Sequence, residues 1–274
     1  SDMSIPNVLT IAGTDPSGGA GIMADLKAFG ALRTHGCAVV TAVVAQNTRG
    51  VAAVTQMTPQ QVRTQLENLV DDVRIDALKI GMLGSAAVIE TVADVLADHP
   101  ALRGVPRVLD PVMVASSGDR LIDEDAVTAL RERLVPEVDV ITPNLAEAAV
   151  LLDLDDAPRE ASDDVARALV ALGSGVLLKG GHGGGAKSDD VLLVPAESDE
   201  PARLSAPRID TRNTHGTGCT LSAAMTALRP QRDSWAQATR EAKDYVTEAL
   251  AASGDLDVGR GDGHGPVHHF HAWW

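Results

Sequence analysis

Short runs of apolar residues alternate along the chain with longer stretches in which apolar residues recur every three or four positions. The short runs predict β-strands at residues 8–12, 38–45, 77–80, 105–109, 138–141 and 176–178. The longer stretches predict helices at residues 22–34, 59–73, 86–98, 124–134 and 163–172. The strand runs are apolar on both faces, which is typical of a parallel sheet covered by helices on both sides. The alternation therefore predicts an α/β architecture.

The pattern changes in the last third of the chain. Residues 191–194 and 203–206 predict a hairpin at an antiparallel sheet edge, and helices follow at 218–228 and 234–252. No repeat or long linker divides the chain, so we expect one domain over residues 3–274, with residues 1–2 interpreted as a cloning remnant. A doubly wound sheet is favoured over a TIM barrel, because a barrel would not contain the late hairpin and the paired helices.

Composition narrows the classes of function. The 274 residues include 23 Lys and Arg against 38 Asp and Glu, giving a formal charge of −15. This balance argues against a nucleic-acid groove or binding to an anionic membrane. The sequence has no signal-peptide pattern and no long apolar span, so we expect a cytoplasmic protein with no membrane partner. Its two cysteines, Cys37 and Cys219, form neither a disulfide framework nor a zinc motif.

Three glycine clusters follow predicted strands, at residues 13–21, 180–185 and 214–219. The first does not complete a dinucleotide fingerprint, and the second misses a Walker motif because Ala186 stands before Lys187. The third opens a helix, so the backbone N–H groups of Gly216, Thr217 and Gly218 can converge on one anion. Any one cluster has the simpler interpretation of a turn. Three together predict a phosphoryl-binding site at the strand ends.

Cys219 lies in the first turn of that helix. A thiol at a helix N-terminus is expected to have a lowered pKa and to be partly thiolate near neutral pH. The alternative is a buried thiol that acts as a small hydrophobic residue, the usual state of a free cysteine and our interpretation of Cys37.

The chain resembles the ribokinase-like superfamily and, within it, the hydroxymethylpyrimidine/phosphomethylpyrimidine kinases of thiamine biosynthesis. The resemblance covers nearly the whole chain and depends on motifs at residues 12–21, 45–48, 79–83, 110–113, 142–148, 179–182 and 216–219. Most sugar kinases of the superfamily carry Asp where Cys219 stands, which points to the pyrimidine branch. The implied fold is a three-layer sandwich, with a mostly parallel sheet, helices on both faces and an antiparallel edge.

The resemblance implies ATP and Mg²⁺ as cofactors and two successive phosphorylations, of the hydroxymethyl group and then of the monophosphate. Cys219 matches the catalytic position. The implied roles of the other residues are these: pyrimidine binding by Gly13, Asp25, Gln46 and Met82; nucleotide binding by Lys179, Gly181 and Thr214; and organisation of Mg²⁺ and phosphates by Asn144 and Glu147. Many relatives have Lys where this chain has Ser116, so a contact of that Lys with a substrate phosphate is in question here.

The chemistry of several of these residues agrees with the implied roles. The carboxamide of Gln46 can pair with an amino group and a ring nitrogen at once, and Asp25 can accept from the amine. Their alternatives are a strand-end turn for Gln46 and a helix-start carboxylate for Asp25. Asp110 follows a strand and is a further candidate for the metal, or else a turn cap before Pro111.

Four histidines lie in the Gly-rich tail, at His264, His268, His269 and His271. Their spacing matches no metal motif, so we expect packing of the tail instead. A pyridoxal or pyridoxine kinase is the nearest alternative function, and a catalytically silent binding protein is the alternative of another class. A Rossmann oxidoreductase is excluded because the dinucleotide fingerprint is missing. We expect a homo-oligomer that binds a small pyrimidine and ATP.

Overall fold

The computed structural model describes residues 4–113, 122–181 and 187–274. Its strands are β1 (Asn7–Ala12), β2 (His35–Val40), β3 (Ala42–Asn47), β4 (Gly50–Gln56), β5 (Ala77–Ile80), β6 (Arg107–Leu109), β7 (Val140–Ile141), β8 (Gly175–Lys179), β9 (Lys187–Leu193) and β10 (Ala202–Pro207). Its helices are α1 (Gly21–Ala31), α2 (Pro59–Asp72), α3 (Ala86–Asp98), α4 (Glu124–Ala129), α5 (Leu145–Leu151), α6 (Asp163–Val170), α7 (Thr217–Leu228) and α8 (Trp235–Ala251).

Eight strands form the central sheet, in the order β10-β9-β8-β7-β6-β5-β1-β2. Six neighbouring strands of this sheet are parallel: β8, β7, β6, β5, β1 and β2. Strands β9 and β10 add the predicted antiparallel edge. After β2 the chain returns across β1 to place β5 on its other side. The carboxyl ends of β1 and β5 therefore flank a topological switch point, where open α/β sheets leave a crevice for ligands.

Helices cover both faces of this sheet, which confirms the predicted three-layer sandwich. One core lies under α2 to α6, and a second core joins α1, α7 and α8 to the opposite face. Three alanines of α7, Ala223, Ala224 and Ala227, are fully buried. Their small side chains let α7 lie close to the strand ends, and this brings the start of α7 into the crevice.

One predicted strand was wrong. The apolar run at 38–45 divides at Thr41, whose N–H donates to Ala12 O and whose hydroxyl donates to Met82 O. The chain then leaves the main sheet, and β3 pairs with β4 in a separate two-stranded antiparallel sheet. The pattern did not predict β4, because this strand is largely exposed and lacks the buried apolar face that marks a strand in sequence.

The remaining differences concern one element end and one short helix. The helix predicted at 124–134 ends as regular α-helix at Ala129 and continues as a wider helical turn over Leu130–Leu134. Helix α5 was not among the predicted helices, since seven residues are too few to show a period. Within the described residues, none of the helices has the length and apolar character needed to cross a membrane.

Candidate active site at the carboxyl ends of the parallel strands

The turn before α7 has the geometry of an anion site. Gly216 caps the helix with φ +75°, in the left-handed region that favours glycine. The backbone N–H of Thr217 donates to Thr214 O at 3.3 Å, and its hydroxyl donates to the same oxygen at 2.6 Å. These bonds fix the turn in the described structure. The unpaired N–H groups of the first helical turn and the helix dipole then favour an anion there.

A second glycine loop lies directly against this turn. A methyl group added at Gly216 would overlap the carbonyl oxygen of Gly19, so the two backbones approach as closely as glycine allows. Asp15 organises this first loop, because its carboxylate accepts from the N–H groups of Ser17, Gly19 and Ala20. The loops at 13–21 and 214–219, predicted separately, therefore form one structure.

His215 connects the two loops through its side chain. Its Nε2 atom lies 2.7 Å from Oδ2 of Asp15, and both residues are buried. Burial raises the pKa of Asp15, but hydrogen bonds from His215 and Ser17 outweigh it and hold this pKa below its usual range. Sequence reasoning missed this pair. The available signal was that Asp15 lies within one glycine loop and His215 within the other.

Beneath α7 lies a fully buried ion pair between α1 and β5. The ammonium of Lys79 is 2.6 Å from Oδ1 of Asp25, and the hydroxyl of Thr10 donates to Oδ2 of Asp25 at 2.6 Å. Lys79 also donates to the carbonyl oxygen of Cys219 at 3.3 Å. Although burial lowers the pKa of Lys79, the negative groups around it, Asp25 foremost with its hydrogen bond and then Cys219 and Asp110, together raise this pKa, so Lys79 stays protonated.

The prediction that Asp25 contacts the pyrimidine directly is wrong for this conformation. Asp25 has no exposed surface, and both of its oxygens already accept hydrogen bonds from protein groups. The sequence correctly indicated a carboxylate near the start of α1. It did not show that a lysine 54 residues later would take this carboxylate as its partner.

The predicted ionisation of Cys219 is also wrong. Burial raises the pKa of its thiol to about 11, even though the Lys79 ammonium and the N–H of Gly21 favour the thiolate. The helix N-terminus is therefore outweighed by loss of hydration. At neutral pH the thiol is protonated in the absence of bound substrates. The residue keeps some exposed surface, so it is not the fully buried hydrophobic residue of the alternative interpretation.

Two carboxylates and a lysine converge beside the anion turn. Nζ of Lys179 lies 3.8 Å from Oδ1 of Asp110 and 3.1 Å from where a side chain at Gly218 would begin. Thr142 donates to Asp110 at 3.2 Å. Burial raises the pKa of Glu147 to about 7, with Lys179 opposing the rise and Asp110 adding to it. The strand-end cluster thus places positive and negative groups next to the turn.

Asn144 and Glu147 also have a structural role. The side chain of Asn144 accepts from the Glu147 N–H at 2.8 Å, and Oε1 of Glu147 accepts from the Asn144 N–H at 3.0 Å. This reciprocal pair is a capping box that starts α5. Both residues therefore help to start α5, and their predicted role toward Mg²⁺ stays a prediction.

Gln46 lies at the edge of an open cavity of about 350 Å³ beside the anion turn. The residues around this cavity come from the β3–β4 turn, from His215 and from the C-terminal tail: Gln46, Asn47, Thr48, Arg49, Gly50, His215, Asp262, Gly263 and His264. Gly13 and Met82 lie together at the switch point, where a side chain added to Gly13 would meet Cε of Met82 at 2.8 Å. The predicted substrate residues other than Asp25 thus lie on or near the crevice side of the sheet.

The predicted nucleotide residues lie on two loops. Thr214 is exposed and precedes the anion turn, while Gly181 follows β8 and its carbonyl accepts from Arg208 at 2.6 Å. The rest of that glycine cluster, residues 182–186, lies outside the described residues. Ser116, the departure from the family pattern, also falls outside them, within 114–121.

The histidine tail packs against the second core, as expected. Nε2 of His269 is 3.0 Å from the hydroxyl of Thr220, Tyr245 donates to His269 O, and His268 approaches Trp274 O at 2.7 Å. Burial lowers the pKa of His269 to about 3, so its ring is neutral. Among the residues that the structure describes, no three His, Cys, Asp or Glu side chains form a group suited to a metal.

Comparison with known proteins agrees with this geometry. A family model described as phosphomethylpyrimidine kinase matches residues 15–268. The curated hydroxymethylpyrimidine/phosphomethylpyrimidine kinase of Escherichia coli is 54% identical over 98% of this chain and 98% of its own length. The pyridoxal kinase of Bacillus subtilis, solved as an ADP complex, superposes with a TM-score of 0.84 at 33% identity, covering 98% of this chain and 99% of that one. Phosphomethylpyrimidine kinase from Clostridium difficile superposes with a TM-score of 0.73 at 34% identity, covering 89% and 99%.

The sheet, the converging loops and these likenesses define a small-molecule kinase of ribokinase-like fold. Within that class, the chain belongs to the phosphomethylpyrimidine kinase family.

Proposed function

We propose that the protein transfers the γ-phosphoryl group of ATP to 4-amino-5-hydroxymethyl-2-methylpyrimidine and then to the resulting monophosphate, in thiamine biosynthesis. The observation that carries this proposal is the position of Lys179 against the turn before α7: its Nζ lies 3.1 Å from where a side chain at Gly218 would begin, and Cys219 is the next residue of the chain. Phosphoryl transfer depends mainly on positioning and charge stabilisation, and this edge supplies both. The 54% identity to a curated kinase of this specificity supports the choice of acceptor.

Recognition of the pyrimidine is assigned to the crevice between β1 and β5. The absence of a side chain at Gly13 makes room for the end of Met82, whose flexible thioether suits contact with a flat ring. The amide of Gln46 faces the open cavity and matches the amino and ring-nitrogen edge of the substrate. Asp25 is removed from the set of direct contacts and retained as a buried partner of Lys79.

Transfer to the alcohol needs a proton acceptor. The hydroxymethyl oxygen attacks the γ-phosphorus, ADP leaves, and the hydroxyl proton passes to the thiolate of Cys219 in its minor ionised state. The N–H groups of Gly216 and Gly218 and the ammonium of Lys179 bind the oxygens of the group in transit, while the N–H of Thr217 holds the turn through Thr214 O. Thr214 and Gly181 are assigned to the nucleotide side, on the loops that flank these groups.

Transfer to the monophosphate follows the same path with a different acceptor. A phosphate monoester is largely ionised near neutral pH, so its oxygen attacks without first losing a proton. The site must then offset the repulsion between the substrate phosphate and the γ-phosphate of ATP. We assign this charge neutralisation to the anion turn, to Lys179 and to Mg²⁺.

The residues at the strand ends fit Mg²⁺. Asp110, Glu147 and Asn144 offer oxygen ligands, and Mg²⁺ usually takes one or two protein carboxylates and completes its shell with water and phosphates. Burial is the main cause of the raised pKa of Glu147, with a smaller contribution from Asp110, and a cation bound there would favour the ionised carboxylate. When bound there, Mg²⁺ would neutralise charge on the ATP phosphates.

A kinase assay with three acceptors tests the proposal. The purified protein, ATP and MgCl₂ are incubated with the hydroxymethylpyrimidine, its monophosphate or pyridoxal, and ADP and phosphorylated products are measured. We expect the highest kcat/KM with the two pyrimidines. Pyridoxal kinase is the second candidate, because a solved pyridoxal kinase superposes with a TM-score of 0.84. Higher kcat/KM with pyridoxal would establish that alternative, and absence of turnover with all three would reject both.

Further parts of the proposal concern the cellular setting. We infer that the protein acts in the cytoplasm, as one kinase domain over residues 3–274 and as a homo-oligomer, without nucleic-acid or membrane partners. The charge of −15 supports the last point, because a strongly acidic chain is repelled by anionic polymers and surfaces. Light scattering of the purified protein tests the oligomeric state.

A further inference from the structure

The buried pair of Asp25 and Lys79 is not used by any step described above. Both side chains have no exposed surface, and their charged atoms lie 2.6 Å apart. Thr10 donates to the second carboxylate oxygen at 2.6 Å, so the carboxylate is held from two sides. A pair this deeply buried loses the hydration of both charges, and such pairs contribute little or nothing to net stability. Because net stability does not account for this pair, and because it lies directly beneath the site, its role is to be sought in how it positions neighbouring groups.

Lys79 extends the pair to the first turn of α7. Its ammonium donates to the carbonyl oxygen of Cys219 at 3.3 Å, and the hydroxyl of Ser222 donates to the same oxygen at 3.1 Å. One ammonium thus connects β5, α1 and α7. The carbonyl that it binds belongs to the residue next to Gly218, at the anion-binding turn.

Helix α1 contacts the same cysteine by a second route. The backbone N–H of Gly21, at the start of α1, lies near the thiol of Cys219 and favours its ionised form. Gly21 has φ +58°, and a side chain there would overlap the carbonyl oxygen of Gly13. The start of α1 is therefore fixed against β1, and Asp25 lies one helical turn further along the same helix. The thiol of Cys219 thus lies near Gly21 and its carbonyl oxygen accepts from Lys79, and the positions of both groups depend on α1.

We propose that Asp25 and Lys79 are positioning residues for phosphoryl transfer, which hold the first turn of α7, with Cys219, in register with α1 and β5. This inference rests on the proposed function. The ammonium also places a positive charge near the thiol, at the end of the sheet where negative charge develops during transfer. Other charged groups facing Cys219 are Asp110, after β6, and Lys179, at the end of β8.

Neutralising the pair separates a positioning role from a purely structural one. Lys79→Met and Asp25→Asn alone each leave one charge buried without its partner, so both should lower Tm. The double variant Asp25→Asn/Lys79→Met leaves no buried charge and should recover most of the lost Tm. We expect its kcat for the first transfer to stay about 10²-fold below wild type, the scale of a misplacement near 1 Å, with KM for ATP changed by less than about threefold. Recovery of kcat together with Tm would overturn the proposal.

A matched control comes from an exposed ion pair on α2. Arg63 and Glu67 lie 2.7 Å apart, four residues apart on the helix. The variant Arg63→Met/Glu67→Gln removes one charge of each sign, as the buried double variant does. We expect it to keep wild-type kcat and Tm, because exposed pairs contribute little.

Alkylation of Cys219 provides a readout that needs no turnover. In a Cys37→Ser background, the rate of reaction with iodoacetamide is measured at one pH for each variant. Loss of the Lys79 cation should slow alkylation several-fold, because less thiolate remains, and loss of the Asp25 anion should accelerate it. A purely structural role would expose the thiol and accelerate both, which would overturn the proposal. If the wild-type protein phosphorylates none of the three acceptors, the proposed function fails, and the alkylation rates still decide whether the pair acts on Cys219.

Discussion

Nε2 of His215 lies 2.7 Å from Oδ2 of Asp15, although 200 residues separate them in the sequence. This buried contact joins the loop after β1 to the turn before α7. It lies next to the close approach of Gly216 and Gly19, so side chains and backbones of the two loops interlock. The turn to which we assign anion binding is therefore built by two distant segments and not by the helix alone.

Replacing Gly216 with alanine should disrupt the contact between the two loops. The new methyl group would overlap the Gly19 carbonyl, and the φ of +75° is unfavourable for a residue with a side chain. We expect Gly216→Ala to reduce kcat/KM by more than about 10²-fold in both phosphorylations, the scale of a site misplaced by about 1 Å. The measurement is single-turnover transfer together with Tm.

Gly254→Ala is the matched control for this substitution. Gly254 is exposed, and an added methyl group would meet nothing within 4 Å. We expect kinetics unchanged and a free energy of unfolding within about 0.5 kcal/mol of wild type, as is usual for surface changes. Wild-type activity in Gly216→Ala would show that the two loops need not interlock.

The two phosphorylations should respond differently to loss of the Cys219 thiol. The first transfer removes a proton from an alcohol, whereas the second uses an ionised phosphate, so Cys219→Ser should slow the first far more. A positioned general base contributes roughly 10²–10⁴-fold. Both rates are measured in the same variant by single-turnover kinetics. Equal losses in the two steps would mean that Cys219 shapes the anion turn and moves no proton.

The raised thiol pKa adds a pH dependence to that comparison. With a pKa of about 11 the thiol is mostly protonated at neutral pH, and its ionised fraction increases as pH rises. The first transfer by wild type should therefore accelerate between about pH 7 and pH 9, and Cys219→Ser should lose that slope. A slope retained in the variant would assign the proton acceptor elsewhere.

Glu147→Gln should separate metal binding from helix capping. Glutamine can keep the capping box with Asn144 but loses the charge that we assign to Mg²⁺. We expect lower turnover and a higher Mg²⁺ concentration at half-maximal rate, measured by titration of MgCl₂. Unchanged Mg²⁺ dependence would leave Glu147 with its capping role alone.

The same variant should change stability in a pH-dependent way. The carboxyl pKa rises from 4.5 to about 7 on folding, so the folded protein holds this proton more tightly than the unfolded chain. Its contribution to stability is complete below about pH 4.5 and is lost as pH rises to about 7, by up to roughly 3 kcal/mol. Glu147→Gln removes this loss, so without Mg²⁺ it should be more stable than wild type at pH 8 and similar at pH 4.5 by urea unfolding. Equal stability at pH 8 would contradict the raised pKa.

Gln46→Ala tests recognition of the pyrimidine. Removing an amide that pairs with two polar groups leaves those groups without partners, so kcat/KM should fall by about 10-fold to 10²-fold for the pyrimidines. Gln60→Ala, an exposed glutamine on α2, is the control and should behave as wild type. Unchanged kinetics in Gln46→Ala would remove this residue from the site.

Local signals predicted much of this molecule. The parallel strands, the antiparallel edge and the helix-opening turn at Gly216 each follow from residues close together in sequence. The partners of Asp15 and Asp25 could not be predicted in this way, because His215 and Lys79 come close to these carboxylates only in the tertiary fold. The prediction of a lowered pKa for the Cys219 thiol was wrong for a related reason. A helix N-terminus can be recognised in a sequence, but the loss of water around a side chain cannot.

The order in which the chain supplies its site matters while the protein is being made. The turn at Gly216 and the bridge from His215 to Pro266 come from the last quarter of the sequence, long after β1 to β8 have been synthesised. A nascent chain can pair its parallel strands before any phosphate-binding turn exists. ATP bound at that turn, as we propose, would therefore stabilise only molecules whose synthesis has passed it, and truncated products would gain no protection from the nucleotide against proteases.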